Sequence, residues 1–236
     1  MINDPRKVSL CIPTYNRVDM TIRAFSKVIN DERIDEVIVV DDSSDLPIYK
    51  QLEQALSDYP KVKLYRNVLN QDCYFNKRTA ISFAKNDYCI LLDSDNIVSP
   101  KYLDKIFEYE WDENTIFTPE FALPHFDFRA YSGLRFDRTN IAEYIDKPMF
   151  EVMCNAANYF VNKMQYLKVF DENTNPVTSD SIFMVLNWLK NGGSVFVVPG
   201  LQYVHTVHNG SHYQNNVRRT PQGFHENILQ QLREMK

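Results

Sequence analysis

Two carboxylates one residue apart, Asp93 and Asp95, follow the apolar run Tyr88-Cys89-Ile90-Leu91-Leu92. At the end of a buried strand such charges repel each other and lose hydration, so the pattern calls for a cation. Hard oxygen donors suit Mg2+ or Mn2+, ions that keep open positions for phosphate oxygens. Asp, Ser and Asn also favour turns and helix N-caps, so Asp93-Ser94-Asp95-Asn96 before Pro100 has a purely structural reading as well. A second acidic pair, Asp41-Asp42, follows Val37-Ile38-Val39-Val40. It is suited either to accept hydrogen bonds from a base N–H or a ribose hydroxyl, or to form an acidic turn. Further on, Ser179-Asp180 precedes a helical pattern. Either residue can cap that helix. His205, His208 and His212 lie close together late in the chain, where a neutral imidazole can complete a metal site begun by Asp95. His205 and His208 differ by an odd number of positions and cannot share one side of a regular strand.

The elements that must position these residues alternate in the first half of the chain. Strand-like runs at 8–12, 34–40, 62–66 and 88–92 are separated by amphipathic stretches at 18–30, 47–58 and 74–86, the pattern of a parallel sheet with crossover helices. In such a sheet ligands bind beyond the carboxyl ends of the strands, where Pro13-Thr14-Tyr15-Asn16-Arg17, Asp41-Asp42 and Asp93-Ser94-Asp95 all fall. A helix is expected after Pro100 and a strand at 115–119. The segment 119–138 has no clean periodicity and reads as a substrate-facing, mobile loop. A strand at 158–161, a helix from about 179 to 191 ended by Gly192-Gly193, strands at 194–198 and 202–207 around a Pro199-Gly200 turn, and a polar helix from about 221 complete the expectation.

The chain has 236 residues, 44% of them hydrophobic, enough for one large α/β domain. Its longest apolar runs fall well short of the roughly 20 residues that cross a bilayer, and the N-terminus lacks a secretory h-region, so the expectation is a cytoplasmic protein with no integral membrane segment. A net charge of −5 without long blocks of one sign speaks against nucleic acid as the partner. Cys11, Cys73, Cys89 and Cys154 lie far apart, as buried free thiols rather than disulfides or a zinc site.

Taken together, IPTYNR at 12–17, VIVVDDSS at 37–44, Asn70 and YCILLDSDN at 88–96 resemble the inverting family 2 glycosyltransferases of the GT-A fold. The resemblance is strong over 8–110 and continues more weakly to about 213. It implies an α/β, nucleotide-diphospho-sugar transferase fold with a mostly parallel central sheet flanked by helices. A single domain would span 1–213, with a donor-binding half at about 1–110 and an acceptor half at about 111–213, followed by a C-terminal helical tail at 214–236. Pro13, Tyr15, Arg17, Asp42, Asn70, Lys77, Asp93 and Ser94 would hold the nucleotide-sugar donor, with Arg78 one position from Lys77. Asp95 and His205 would bind Mn2+ or Mg2+, with His208 the second choice of histidine. Asp180 matches the family's catalytic base, although the usual Glu-Asp pair is here Ser179-Asp180. The implied activity is metal-dependent, inverting transfer of one hexosyl or N-acetylhexosaminyl group from a nucleotide sugar, with UDP favoured, to a glycan, lipid-linked or protein-linked acceptor. The chain lacks the QxxRW motif of processive synthases. A sugar nucleotidyltransferase would carry a glycine-rich loop after the first strand, which is missing here, and receiver domains carry acids there. A catalytically silent GT-A domain serving as a binding or scaffold module is the non-enzymatic alternative.

Overall fold

The computed structural model describes residues 6–156, 158–208 and 216–236. Four parallel strands form its first half: β1 (Val8–Thr14), β2 (Ile34–Asp41), β3 (Val62–Arg66) and β4 (Tyr88–Leu91). Helices α1 (Val18–Phe25), α2 (Leu46–Leu56) and α3 (Asp72–Phe83) connect them. Every residue of β1 is buried, and β2 is buried at all but one position, which is why these strands read as continuous β-branched runs rather than alternating ones. α1 stops at Phe25, five residues earlier than the hydrophobic pattern suggests, and turns fill the stretch to Asn30.

The sheet order is β3-β2-β1-β4-β8-β5-β9-β7, with β6 paired to β5. After β3 the chain returns to the far side of β1, so the direction of strand addition reverses between β1 and β4. The loops after these two neighbours diverge and open a crevice at their carboxyl ends. The second half comprises β5 (Thr115–Leu123), β6 (Phe126–Asp127), β7 (Arg135–Asp137), β8 (Phe160–Asn162) and β9 (Ser194–Val204). β8 lies antiparallel between β4 and β5, whereas β9 runs parallel to β5. Parallel pairing therefore holds throughout the first half, and the second half is mixed.

Two expectations are corrected here. The segment 119–138 is not an open loop: it carries the end of β5, all of β6, a 3-10 turn at Arg129–Tyr131 and β7. Its periodicity is obscured because the buried Phe128, Tyr131 and Phe136 fall in turn on the residue before the 3-10 turn, on that turn and on the three-residue strand β7. The expected pair of strands around Pro199-Gly200 is one strand, β9, because a register shift between Pro119 and Phe121 on β5 absorbs the irregularity.

Helices α4 (Pro100–Ile106), α5 (Phe150–Asn155), α6 (Lys163–Val169), α7 (Asp180–Lys190) and α8 (Phe224–Arg233) complete the fold. α7 is buried along nearly its whole length. α8 sets Ile228, Leu229 and Leu232 into the core and places Phe224 5.7 Å from the ring of Phe183 on α7. All four cysteines are free, and among the described residues no helix is long and apolar enough to cross a membrane.

The turn from α7 to β9 depends on a close approach. The indole Nε1 of Trp188 donates to the Asn114 carbonyl at 2.9 Å, and a Cβ on Gly193 would lie 2.2 Å from that ring and 3.0 Å from the same carbonyl. Gly193→Ala is expected to destabilise the protein by roughly 1–3 kcal/mol through overpacking, measured as a lower midpoint in urea unfolding with an unchanged slope.

Candidate active site

The residues after β1, β2 and β4, together with the start of α7, line one cavity of about 1200 Å3. Pockets for a single drug-sized ligand hold roughly 300–1,000 Å3, so the space exceeds what one such ligand fills. Pro13 sits at the end of β1, Tyr15 and Arg17 come from the β1–α1 loop, and Tyr15 is 48% exposed, so its ring is available to a flat ligand. Asp42, from the end of β2, is held by the Nδ2 of Asn67 at 2.7 Å and the backbone N–H of Gln71 at 2.9 Å, both donating to Oδ1. Burial pushes its pKa up from the ordinary carboxylate value. Asn70 donates from Nδ2 to the Asp42 carbonyl at 3.0 Å. Asp41, by contrast, does not line the cavity; its Oδ2 accepts from the Ser44 N–H at 3.1 Å and lies 3.7 Å from Arg66 Nε.

At the centre lies a buried ammonium. Lys77, on α3, places Nζ 2.6 Å from Asp180 Oδ2 and 3.1 Å from Asp93 Oδ1. Burial by itself would lower the lysine pKa, but attraction to Asp180 and Asp93 outweighs it and holds the pKa well above the ordinary value. Lys77 stays charged, and it joins the end of β4 to the start of α7. Arg78, its neighbour, points outward to Glu172 at 2.8 Å.

Asp95 Oδ2 meets two side chains, Arg17 Nη1 at 2.8 Å and His208 Nε2 at 3.0 Å. The ring that reaches Asp95 is thus His208. His205 lines the cavity but turns toward His125, with 3.1 Å between their Nδ1 atoms, and packs on Phe126. Burial, with His125 beside it, pushes the His205 pKa down and favours the neutral ring. His212 lies outside the described residues. Ser94 also lines the cavity, with its Oγ 3.5 Å from Arg17 Nη1. Among the described residues no group of three His, Cys, Asp or Glu side chains is arranged to hold a metal. The pair Asp95 and His208 nevertheless suits Mn2+ or Mg2+ as a partial donor set, one hard oxygen and one imidazole, when the remaining positions go to phosphate oxygens and water.

Neither residue at the start of α7 acts as a cap. Ser179 occupies the N-cap position without a side-chain capping bond, and the Asp180 carboxylate is taken up by Lys77. Lys77 engages Oδ2, so Oδ1 of Asp180 has no hydrogen-bond partner among the described residues.

Several supporting residues carry no sequence signal. Asn158 Oδ1 accepts from the Asp93 N–H at 2.8 Å and from Asn96 Nδ2 at 3.2 Å, and so fixes the loop after β4. Asn16, Asp72 and Asn158 line the cavity with φ of 53°, 64° and 75°. Asn and Asp tolerate this left-handed region best among non-glycine residues, and backbone strain of this kind gathers at functional sites. Glu151, Asn155, Arg219 and His225 line the side of the cavity toward α5 and α8.

Comparison with known proteins agrees with this geometry. The profile of the family described as Glycosyl transferase family 2 matches residues 9–167. The putative colanic acid biosynthesis glycosyl transferase WcaA of Escherichia coli is 28% identical over 159 residues, covering 60% of this chain; the chain spans 56% of that relative's length. Among solved structures, the mannosyltransferase PcManGT of Pyrobaculum calidifontis, in complex with GDP-Man and Mn2+, superposes with a TM-score of 0.67 at 15% identity, over 98% of this chain and 70% of the other. GalNAc-T7 with UDP, GalNAc and Mn2+ superposes with a TM-score of 0.63 at 14% identity, over 87% and 44%. These two likenesses establish a shared fold, and the family match runs from within β1 into α6 and includes Asp42, Asp93 and Asp95. The chain belongs to glycosyl transferase family 2.

Proposed function

We propose that the protein transfers one hexosyl or N-acetylhexosaminyl group, with inversion, from a nucleotide-diphosphate sugar to an acceptor hydroxyl in glycan biosynthesis. UDP is the favoured nucleotide. The observation that carries this reading is the shared ammonium: Lys77 sets Asp180 beside Asp93 of the D-x-D run, inside the same cavity. One carboxylate then serves the donor and the other the acceptor.

On the donor side, Tyr15 and Pro13 flank the base, while Asp42 accepts from the base or the ribose through Oδ2, since Oδ1 is occupied by Asn67 and Gln71. Asn70 maintains that loop. Arg17 and Lys77 supply positive charge for the diphosphate, and Asp93 with Ser94 contacts the ribose or sugar. Asp95, with His208 or His205, would hold Mn2+ or Mg2+, which when bound neutralises charge developing on the leaving diphosphate. The Mn2+ bound in both structural neighbours supports divalent metal use, one of them holding GDP-Man and the other UDP.

Transfer then follows as a single displacement. Asp180 Oδ1 accepts the proton of the acceptor hydroxyl as its oxygen attacks the anomeric carbon from the face opposite the diphosphate. The bond from that carbon to the diphosphate oxygen breaks as the new glycosidic bond forms, and the charges of Arg17 and Lys77 stabilise the departing diphosphate. Similarity to the putative colanic acid enzyme supports a glycan or lipid-linked acceptor, with a protein-linked one a third possibility.

Calorimetry with UDP, GDP, CDP and dTDP, each in Mn2+ and again in EDTA, is expected to find one nucleotide whose binding needs the metal and falls about tenfold or more in Asp95→Ala. Absence of binding in every condition would favour a catalytically silent domain. For the base, Asp180→Asn is expected to lower transfer by about 10²–10⁴-fold while the nucleotide Kd changes by no more than about twofold. Equal loss of donor binding would reject that role.

A further inference from the structure

The residues immediately before Asp180 are tied to the C-terminal segment, which lies outside the family match at 9–167. Ser179 Oγ is 2.8 Å from His225 Nδ1, and His225 Nε2 is 2.7 Å from Glu151 Oε1. The Glu151 carboxylate accepts, so Nε2–H donates to it, and Nδ1 is left to make the bond with the Ser179 hydroxyl. One residue earlier, Thr178 Oγ1 lies 2.7 Å from Thr220 Oγ1, and the Thr178 N–H donates to the same oxygen at 3.4 Å. Three elements far apart in sequence, α5, the start of α7 and the segment leading into α8, thus meet at the residue pair that delivers Asp180.

A serine, a histidine and a carboxylate in a hydrogen-bonded row have the outline of a nucleophilic triad. That use fails on access: Ser179 is 2% exposed and does not line the cavity, so its oxygen has no path to a substrate. Plain helix capping fails too, since the Ser179 hydroxyl makes no capping bond. What remains is positioning. Lys77 restrains Asp180 from the donor side through Oδ2, and the contact from Ser179 to His225 restrains the backbone of the preceding residue from the acceptor side.

We propose that Glu151, His225 and Ser179 form a positioning chain through which α8 sets the reach of Asp180 toward the acceptor. The proposal rests on the reading of Asp180 as the base. His225 and Glu151 line the acceptor side of the cavity, so this family 2 core uses its C-terminal helix as part of the reaction site.

The test compares wild type, His225→Ala, His225→Asn, His225→Gln, Ser179→Ala and Asp180→Asn. An Asn amide sits where Nδ1 does and can keep the bond to Ser179, whereas a Gln amide reaches the Nε2 position and can keep only the bond to Glu151. The readouts are release of nucleoside diphosphate from UDP-glucose, UDP-N-acetylglucosamine or GDP-mannose with Mn2+, calorimetric Kd for the matching nucleoside diphosphate, and amide hydrogen exchange of the peptide spanning Ser179–Met184. Expected is a fall in kcat of about tenfold or more for His225→Ala and Ser179→Ala, with donor KM and nucleotide Kd within about twofold. Exchange at the start of α7 should quicken in the same two variants. His225→Asn should recover most of the rate and protection, and His225→Gln should not. Unchanged kcat and exchange in His225→Ala, or equal rescue by Gln and Asn, would overturn the proposal. If no nucleotide sugar is turned over even by wild type, the exchange pattern across the His225 variants decides alone. Full activity in Asp180→Asn would instead reject the base assignment. A dead Asp180→Asn beside a normal His225→Ala would reject only the positioning chain.

Discussion

The site depends on one buried cation. Lys77 carries a side chain only 6% exposed and meets Asp180 and Asp93, which come from helix α7 and the loop after β4. Without the ammonium the two carboxylates would face each other at the floor of the cavity, and removing one member of such a buried set leaves uncompensated charge, a cost of about 3–5 kcal/mol. The same ammonium therefore has a structural consequence and a chemical one. It ties the loop after β4 to the start of α7, and it engages one oxygen of Asp180 while the other has no hydrogen-bond partner among the described residues.

Around that centre, asparagines do much of the framing. Asn67 donates to Asp42 and to Asn76, and Asn76 in turn donates to the Val40 carbonyl at 3.0 Å. Asn158 holds the D-x-D loop, and Asn155 bridges the Thr178 carbonyl and the Ile182 N–H at the start of α7. Loops that leave a sheet at its carboxyl edge lose their ladder partners, and a side-chain amide with both a donor and an acceptor replaces them economically. Asn also accepts the left-handed conformation seen at Asn16 and Asn158, where a β-branched residue would be strained.

Much of this was open to reading from the chain alone. The buried strands β1, β2 and β4 announce themselves because a strand covered on both faces must be continuously apolar, and the acids at their ends stand out against that background. Tyr15, Asp42, Asp93 and Asp95 were legible for that reason. Less legible was the stretch from 119 to 138, where short strands of two or three residues are too brief for any period to show. Glu151, Asn158, Arg219 and His225 were not legible at all, since each is an ordinary polar residue in a helix or turn until the fold brings it to the cavity.

What the sequence determined by itself was the parallel first half of the sheet and the location of its acids, because alternation of strand and helix is a local property and ligands bind where parallel strands end. Tertiary structure decided the remaining questions, which are choices between neighbours. It turned Lys77 inward and Arg78 out, brought His208 rather than His205 against Asp95, and directed Asp42 but not Asp41 to the cavity. One position along a helix rotates a side chain by about 100°, and one along a strand reverses its face, so adjacent candidates look alike in sequence and differ wholly in space.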